Sequence, residues 1–238
     1  MSVVQEAPPR GREAEPDEYS AAGLSLGSAF RIFVRTFSAR LLGLAFVAAV
    51  ATRIALGGWR WWDLGIAAIV LGTQPFTEWL IHVFILHAKP RQLGSRKLDG
   101  LLARKHRQHH ANPKVIGLVL VPRRALVTSV LTALPLYWLI TGMNWRLTVS
   151  WLVVAYGMFL TYEWVHFLIH SSYKPKHWYY RYLYKAHRLH HFRNEHYWFG
   201  VTIHLADHAL RTFPEKEEVP VSPTAFTLGV DVVEEPAA

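Results

Sequence analysis

Ten of the fourteen histidines in this chain fall into four clusters that repeat in order and spacing. The first pair is His82 and His87 in TEWLIHVFILH, followed by His106, His109 and His110 in HRQHH. The second pair is His166 and His170 in YEWVHFLIH, followed by His187, His190 and His191 in HRLHH. Pair and triplet are 19 residues apart in the first half, from His87 to His106, and 17 in the second, from His170 to His187. This is the mark of an internal duplication. At the chain's own histidine frequency, one H-x-x-H-H arises by chance in roughly one such chain in twenty and two in roughly one in a thousand, so the clusters are read as one device.

Imidazole is a ligand for iron, zinc, copper and nickel, and with no cysteine in the chain no thiolate can share the task. A haem held by two opposed histidines would leave most of the ten unused, whereas ten imidazoles suit a pair of metal ions. His166 and His170 share one helix face at i and i+4, and each triplet, at i, i+3 and i+4, is expected to point at one centre if its segment is helical. His82 and His87 differ by about 140° on a regular helix, so that pair requires a π-bulge or a frayed end, and Pro90 favours fraying. Glu78 and Glu163 stand just before the two pairs, where a carboxylate can accept a ring N–H and orient a ligand. His177, His204 and His208 belong to no cluster and are expected to be interfacial or solvated, and His196 to serve a pocket or the surface.

Four apolar stretches carry these clusters, near 37–57, 62–87, 124–142 and 146–170, each close to the ~20 residues that cross a bilayer. Arg53 interrupts the first, where it is expected to snorkel toward headgroups beside Trp59, Trp61 and Trp62. Short links (GGWRW and TGMNWR) join the stretches into two hairpins. The fold class is therefore all-α and integral to a membrane, with four transmembrane helices in two hairpins and a cytoplasmic helical cap bearing the histidine boxes. Ten cations from Lys89 to Arg124 face Asp99 alone, and Lys174, Lys176, Arg181, Lys185, Arg188 and Arg193 follow the fourth stretch, which puts both box regions on the cytoplasmic side. The net charge of +9 is accounted for in this way, and nucleic acid is excluded as a partner. Residues 1–28 are expected to be a flexible tail, 29–212 the membrane domain and 213–238 an acidic C-terminal tail.

From His82 to Thr202 the chain resembles the fatty acid hydroxylase and sterol desaturase superfamily of membrane di-iron enzymes, through HVFILH, HRQHH, EWVHFLIH and HRLHHFRNEHYWFGVT. The last motif is most similar to the fatty-acyl hydroxylase branch. The resemblance implies that the ten clustered histidines bind two iron ions, with zinc able to replace them in a purified sample. It further implies dioxygen as co-substrate, a lipid substrate from the bilayer and hydroxylation of an unactivated C–H bond. The first 28 residues are too few for a fused cytochrome b5 domain, so electrons are expected from a separate ferredoxin- or cytochrome b5-type protein. Trp198, Phe199 and Gly200 are expected to shape the substrate entrance. The rival readings are a carotenoid or sterol hydroxylase or desaturase, and a metal transporter, whose sites tend to lie at the bilayer midplane instead. The membrane is expected to be a bacterial inner membrane, with both termini and the metal site cytoplasmic.

Overall fold

The computed structural model describes residues 23–230, so most of the expected N-terminal tail and the last eight residues lie outside the described region. The described part of the chain is mostly helical. Helix α1 (Leu26–Phe33) leads into α2 (Phe37–Leu56) and α3 (Trp61–Ile81), which continues as a π-helical turn over His82–Leu86. A small hairpin follows, with β1 (Arg91–Leu93) and β2 (Arg96–Leu98) antiparallel and Arg91 opposite Leu98. Its turn holds Gly94 at φ +59°, which suits a residue without a Cβ. Then come α4 (Leu101–Ala111), α5 (Ile116–Val119), α6 (Arg123–Ile140), α7 (Trp145–His170), α8 (Trp178–Phe192) and α9 (Leu205–Ala209).

Four helical stretches are long and apolar enough to cross a membrane, at Phe37–Leu56, Trp61–Leu86, Ile116–Ile140 and Trp145–His170. They agree with the sequence expectation to within a few residues, except that the third begins earlier, at α5. Helix α7 is central, packed against α2, α3 and α6. At 26 residues it is roughly 39 Å long, more than the hydrocarbon thickness of about 30 Å.

The two ends of the bundle are fastened differently. At the end where α2 and α7 adjoin the short links, Arg53 does not snorkel. It is 1% exposed, and its guanidinium donates to Asp63 Oδ1 and Oδ2 at 2.8 Å, to Ser150 Oγ at 2.7 Å and to the Gly57 carbonyl at 2.7 Å. Asp63 makes burial of the cation tolerable by supplying its counter-charge. At the histidine end, α1 and α5, neither of which the sequence expectation contained as a helix, bury Ala29, Phe33, Ile116 and Val119 against Phe167 and Leu168 of α7.

Candidate metal centre

The ten histidines converge at one end of the bundle in two groups of five. His82, His87, His106, His110 and His190 form one, and His109, His166, His170, His187 and His191 form the other. Within each group one nitrogen per ring lies within 4.8 Å of all the others, and eight of the ten residues are buried. The groups adjoin, since the rings of His110 and His191 stack at 4.1 Å with 25° between their planes.

The π turn settles the awkward pair. The N–H of His87 donates to the His82 carbonyl at 3.1 Å, an i→i+5 bond that adds one residue to the turn and brings both rings onto one side. The triplets correct the expectation that each points at a single centre. His106 and His110 join the first group while His109 joins the second, and His187 and His191 join the second while His190 joins the first. On a helix the i+3 residue lies about 60° to one side of residue i and i+4 about 40° to the other, so the middle histidine turns toward the neighbouring site. Each group thus takes four rings from one half of the duplication and a fifth from the other half.

The hydrogen bonds fix which nitrogens face inward. A carbonyl can only accept, so His82 Nδ1–H donates to Phe199 O at 2.6 Å, His110 Nδ1–H to Ala225 O at 2.9 Å and His190 Nδ1–H to Tyr197 O at 2.8 Å. Their Nε2 atoms therefore carry lone pairs. Those of His82 and His110 both approach His106 Nε2, at 3.1 and 3.2 Å, and His106 has at most one proton to offer there. In the second group His187 Nε2 lies 2.9 Å from His170 Nε2 and 3.1 Å from His191 Nε2. Both nitrogens of His109 and of His166 are buried without a hydrogen-bond partner, as are His87 Nε2 and His190 Nε2. Inward-facing lone pairs and unpartnered buried nitrogens are costly unless a cation lies among them, so the residues fit a metal ion in each group. Burial first, then mutual repulsion, pushes His87, His106, His109, His187 and His191 well below the ordinary imidazole range; burial pushes His110 down to about 3. Both effects favour the neutral form of these rings, the state in which imidazole ligates.

Neither Glu78 nor Glu163 bonds to a histidine ring of either group. Glu78 accepts the backbone N–H groups of Val201 and of Thr202 (3.0 Å) and the Thr202 hydroxyl (2.5 Å). Glu163 accepts from the Ser38 hydroxyl and from the Val121 N–H at 3.2 Å. Backbone carbonyls take the orienting role instead, because a loop that is itself clamped can present a C=O at a fixed place. Asp207, which the sequence reading passed over, completes the clamp by accepting the N–H of Phe199 at 3.0 Å and of Gly200 at 2.7 Å. The signal for it was a lone acid in HLADH, one residue after the YWFGVT run. Asp207 also pairs with His204 Nδ1 at 2.9 Å, so His204 is buried, contrary to the solvated place expected for it.

Of Trp198, Phe199 and Gly200, Phe199 borders the histidine rings, while Trp198 packs with Ala186 and Val219 and Gly200 lies in the turn beside Asp207. Phe199 packs on the rings of His82, His87 and His190 at centroid distances of 5.5, 5.6 and 5.5 Å, and Trp198 is 1% exposed. A Cβ on Gly200 would stand 2.6 Å from the Ile203 carbonyl oxygen, so the close turn admits glycine alone. A cavity of about 460 Å³ opens elsewhere, between α3, α6 and α7. It runs from His82 and Leu102 past Ile81 and Phe159 to Val70 and Trp151, and none of the three entrance residues expected from sequence lines it. His196 is exposed beside Glu195, His208 accepts or donates at Tyr182 Oη (2.8 Å), and His177 caps α8.

The C-terminal segment, read as an acidic tail, is folded back as far as residue 230. Arg193 Nε donates to Val219 O and Ser222 N–H to Arg193 O, both at 2.7 Å, which places the Ala225 carbonyl on His110.

The described residues thus form a helical bundle with four candidate membrane spans and, at one end, two groups of five histidines that could each hold a metal ion. Residues 67–212 match the family model of the fatty acid hydroxylases, and the chain belongs to that family. No curated protein and no solved structure matches it.

Proposed function

We propose that this protein is a di-iron monooxygenase that hydroxylates a lipid, most naturally a fatty acyl chain, with dioxygen and electrons from a separate carrier protein. The observation that carries the reading is the position of His82, which belongs to the first metal-ligand group and also ends an apolar cavity between the spans. One oxygen atom of O₂ enters a C–H bond, and the other leaves as water with two electrons and two protons. The ten histidines would hold two iron ions, which supply the activation of dioxygen that protein side chains cannot.

The chain's own residues do the rest. Val70, Ile81, Phe159 and Trp151 receive an apolar chain and exclude water from its length. Phe199 closes the side of the first group with an aromatic ring. The carbonyls of Phe199, Tyr197 and Ala225 hold three ligand rings in the tautomer that aims Nε2 inward. The density of cations around the boxes supports a cytoplasmic site by the positive-inside bias.

The test is lipid mass spectrometry of cells with and without the protein under oxygen-18 gas, with iron measured in the purified chain. A lipid product carrying one labelled oxygen, lost in His109→Ala and His190→Ala, is the expected result. Label absent from every lipid, or a product unchanged in both variants, would sink the proposal.

A further inference from the structure

Helix α8 presents two opposite faces. Inward it places His187, His190 and His191 in the metal groups, and outward it shows Arg181, Lys185, Arg188 and Phe192, spaced i, i+4, i+7 and i+11 and all exposed. Neither Lys185 nor Arg188 is paired with a carboxylate among the described residues. Arg188 instead lies over the rings of Tyr184 and Phe192, at 5.4 and 4.8 Å. Phe192 is 38% exposed and packs at 5.9 Å against Phe226 of the folded-back C-terminal segment, itself 47% exposed. Lys89 borders the same segment, its Nζ 3.0 Å from where a Cβ of Gly229 would stand.

Directly beneath this aromatic pair the two metal groups meet. Phe192 follows His191 in the chain, with ring centroids 6.2 Å apart, and Phe226 follows Ala225, whose carbonyl accepts from His110. His191 and His110 belong to different groups and are the two that stack. Phe192 is thus next in the chain to a histidine of the second group, and Phe226 next to the residue whose carbonyl holds a histidine of the first. The flanks of α8 are occupied, by Tyr179 bonded to the Thr202 carbonyl on one side and by Tyr180 packed in the α1–α5 cluster on the other. The cationic stripe therefore faces away from the elements that tie α8 to the spans.

We infer that the Phe192–Phe226 surface, flanked by Lys185 and Arg188, docks an acidic one-electron carrier protein. An exposed aromatic pair at the end of a stripe of cations unpaired with any carboxylate has the composition of a protein interface, and the stripe selects a partner of opposite charge. The inference rests on the oxygenase reading, which needs a reductant. Two carriers are each oxidised by one electron, and two electrons, two protons, O₂ and R–H yield R–OH and water.

The full chain in nanodiscs of neutral lipid is titrated with an acidic [2Fe–2S] ferredoxin by surface plasmon resonance. Binding that weakens with added salt, and that weakens by about tenfold or more at low salt in a Lys185→Glu/Arg188→Glu variant, is expected. An equal charge reversal at the start of the same segment, Lys174→Glu/Lys176→Glu, leaves it nearly unchanged. Product formation driven by dithionite is retained in both variants, which shows that they are folded and loaded. Equal binding by the two variants, or binding indifferent to salt, overturns the inference. A protein without iron or product that still binds ferredoxin as described refutes the oxygenase reading and leaves the docking surface standing.

Discussion

Glu78 and Asp207 divide between them the four consecutive backbone N–H groups of Phe199, Gly200, Val201 and Thr202. One acid lies on a membrane-spanning helix and the other on a short helix that follows the last histidine box. With its donors satisfied, the loop has a carbonyl fixed for His82, so the placement of that ring depends on two carboxylates that are not bonded to it.

Replacing Asp207 by Ala leaves two buried N–H groups without acceptors, which costs about 2 kcal/mol or more. Thermal unfolding in detergent is expected to shift downward, and bound iron to fall about tenfold or more through the loosened His82. Full iron occupancy in that variant would show that the loop does not position the ligand.

Acid titration should expose the same carboxylate. Burial alone would raise Asp207, but hydrogen bonds from His204, Thr212 and the Gly200 N–H outweigh it and hold the group below the ordinary carboxylate range. In the unfolded chain it titrates near pH 4. Its contribution is therefore complete above that pH and is lost as pH falls through the lower folded value. An Asp207→Asn variant, lacking this titration, is expected to lose less stability than the parent chain between about pH 4 and pH 2 in matched thermal melts.

Chelation should destabilise the protein. Without a cation, the unpartnered nitrogens of His87, His109, His166 and His190 are buried polar atoms with nothing to bond. A strong chelator is expected to lower the melting temperature by several degrees, and added ferrous iron or zinc to restore it. A melt unaffected by stripping would argue against metal in either group.

The cavity predicts a change in chain-length preference. Ala155 lines it about 17 Å along α7 from His166, given 1.5 Å per residue. Ala155→Phe should shorten the space, lowering kcat/KM for long acyl chains more than for short ones, with metal content unchanged. Uniform loss across chain lengths would place the substrate elsewhere.

Arg53 and Asp63 lie far from the histidines. Asp63→Ala strands a buried cation and is expected to cost about 3–5 kcal/mol, whereas Arg53→Met with Asp63→Leu costs much less. Equal melts for the two variants would show that the pair is not the fastener of that end.

Composition and spacing alone determined the four spans, the ten clustered histidines and the need for a departure from regular helix at His82–His87, because helix periodicity and bilayer thickness are local constraints readable along the chain; that the departure is a π turn and not the frayed end that Pro90 suggested was decided by the fold. Tertiary structure decided how those histidines were shared. His109 and His190 cross to the site of the other half because a triplet spreads over about 100° of helix, and which neighbour each meets depends on how α4 and α8 are set beside one another. Packing likewise turned Glu78 from a ring partner into a backbone clamp, recruited Asp207 and Ala225, and buried Arg53 beside Asp63. Such partners lie far apart in the chain, and no periodicity brings them together until the helices have docked.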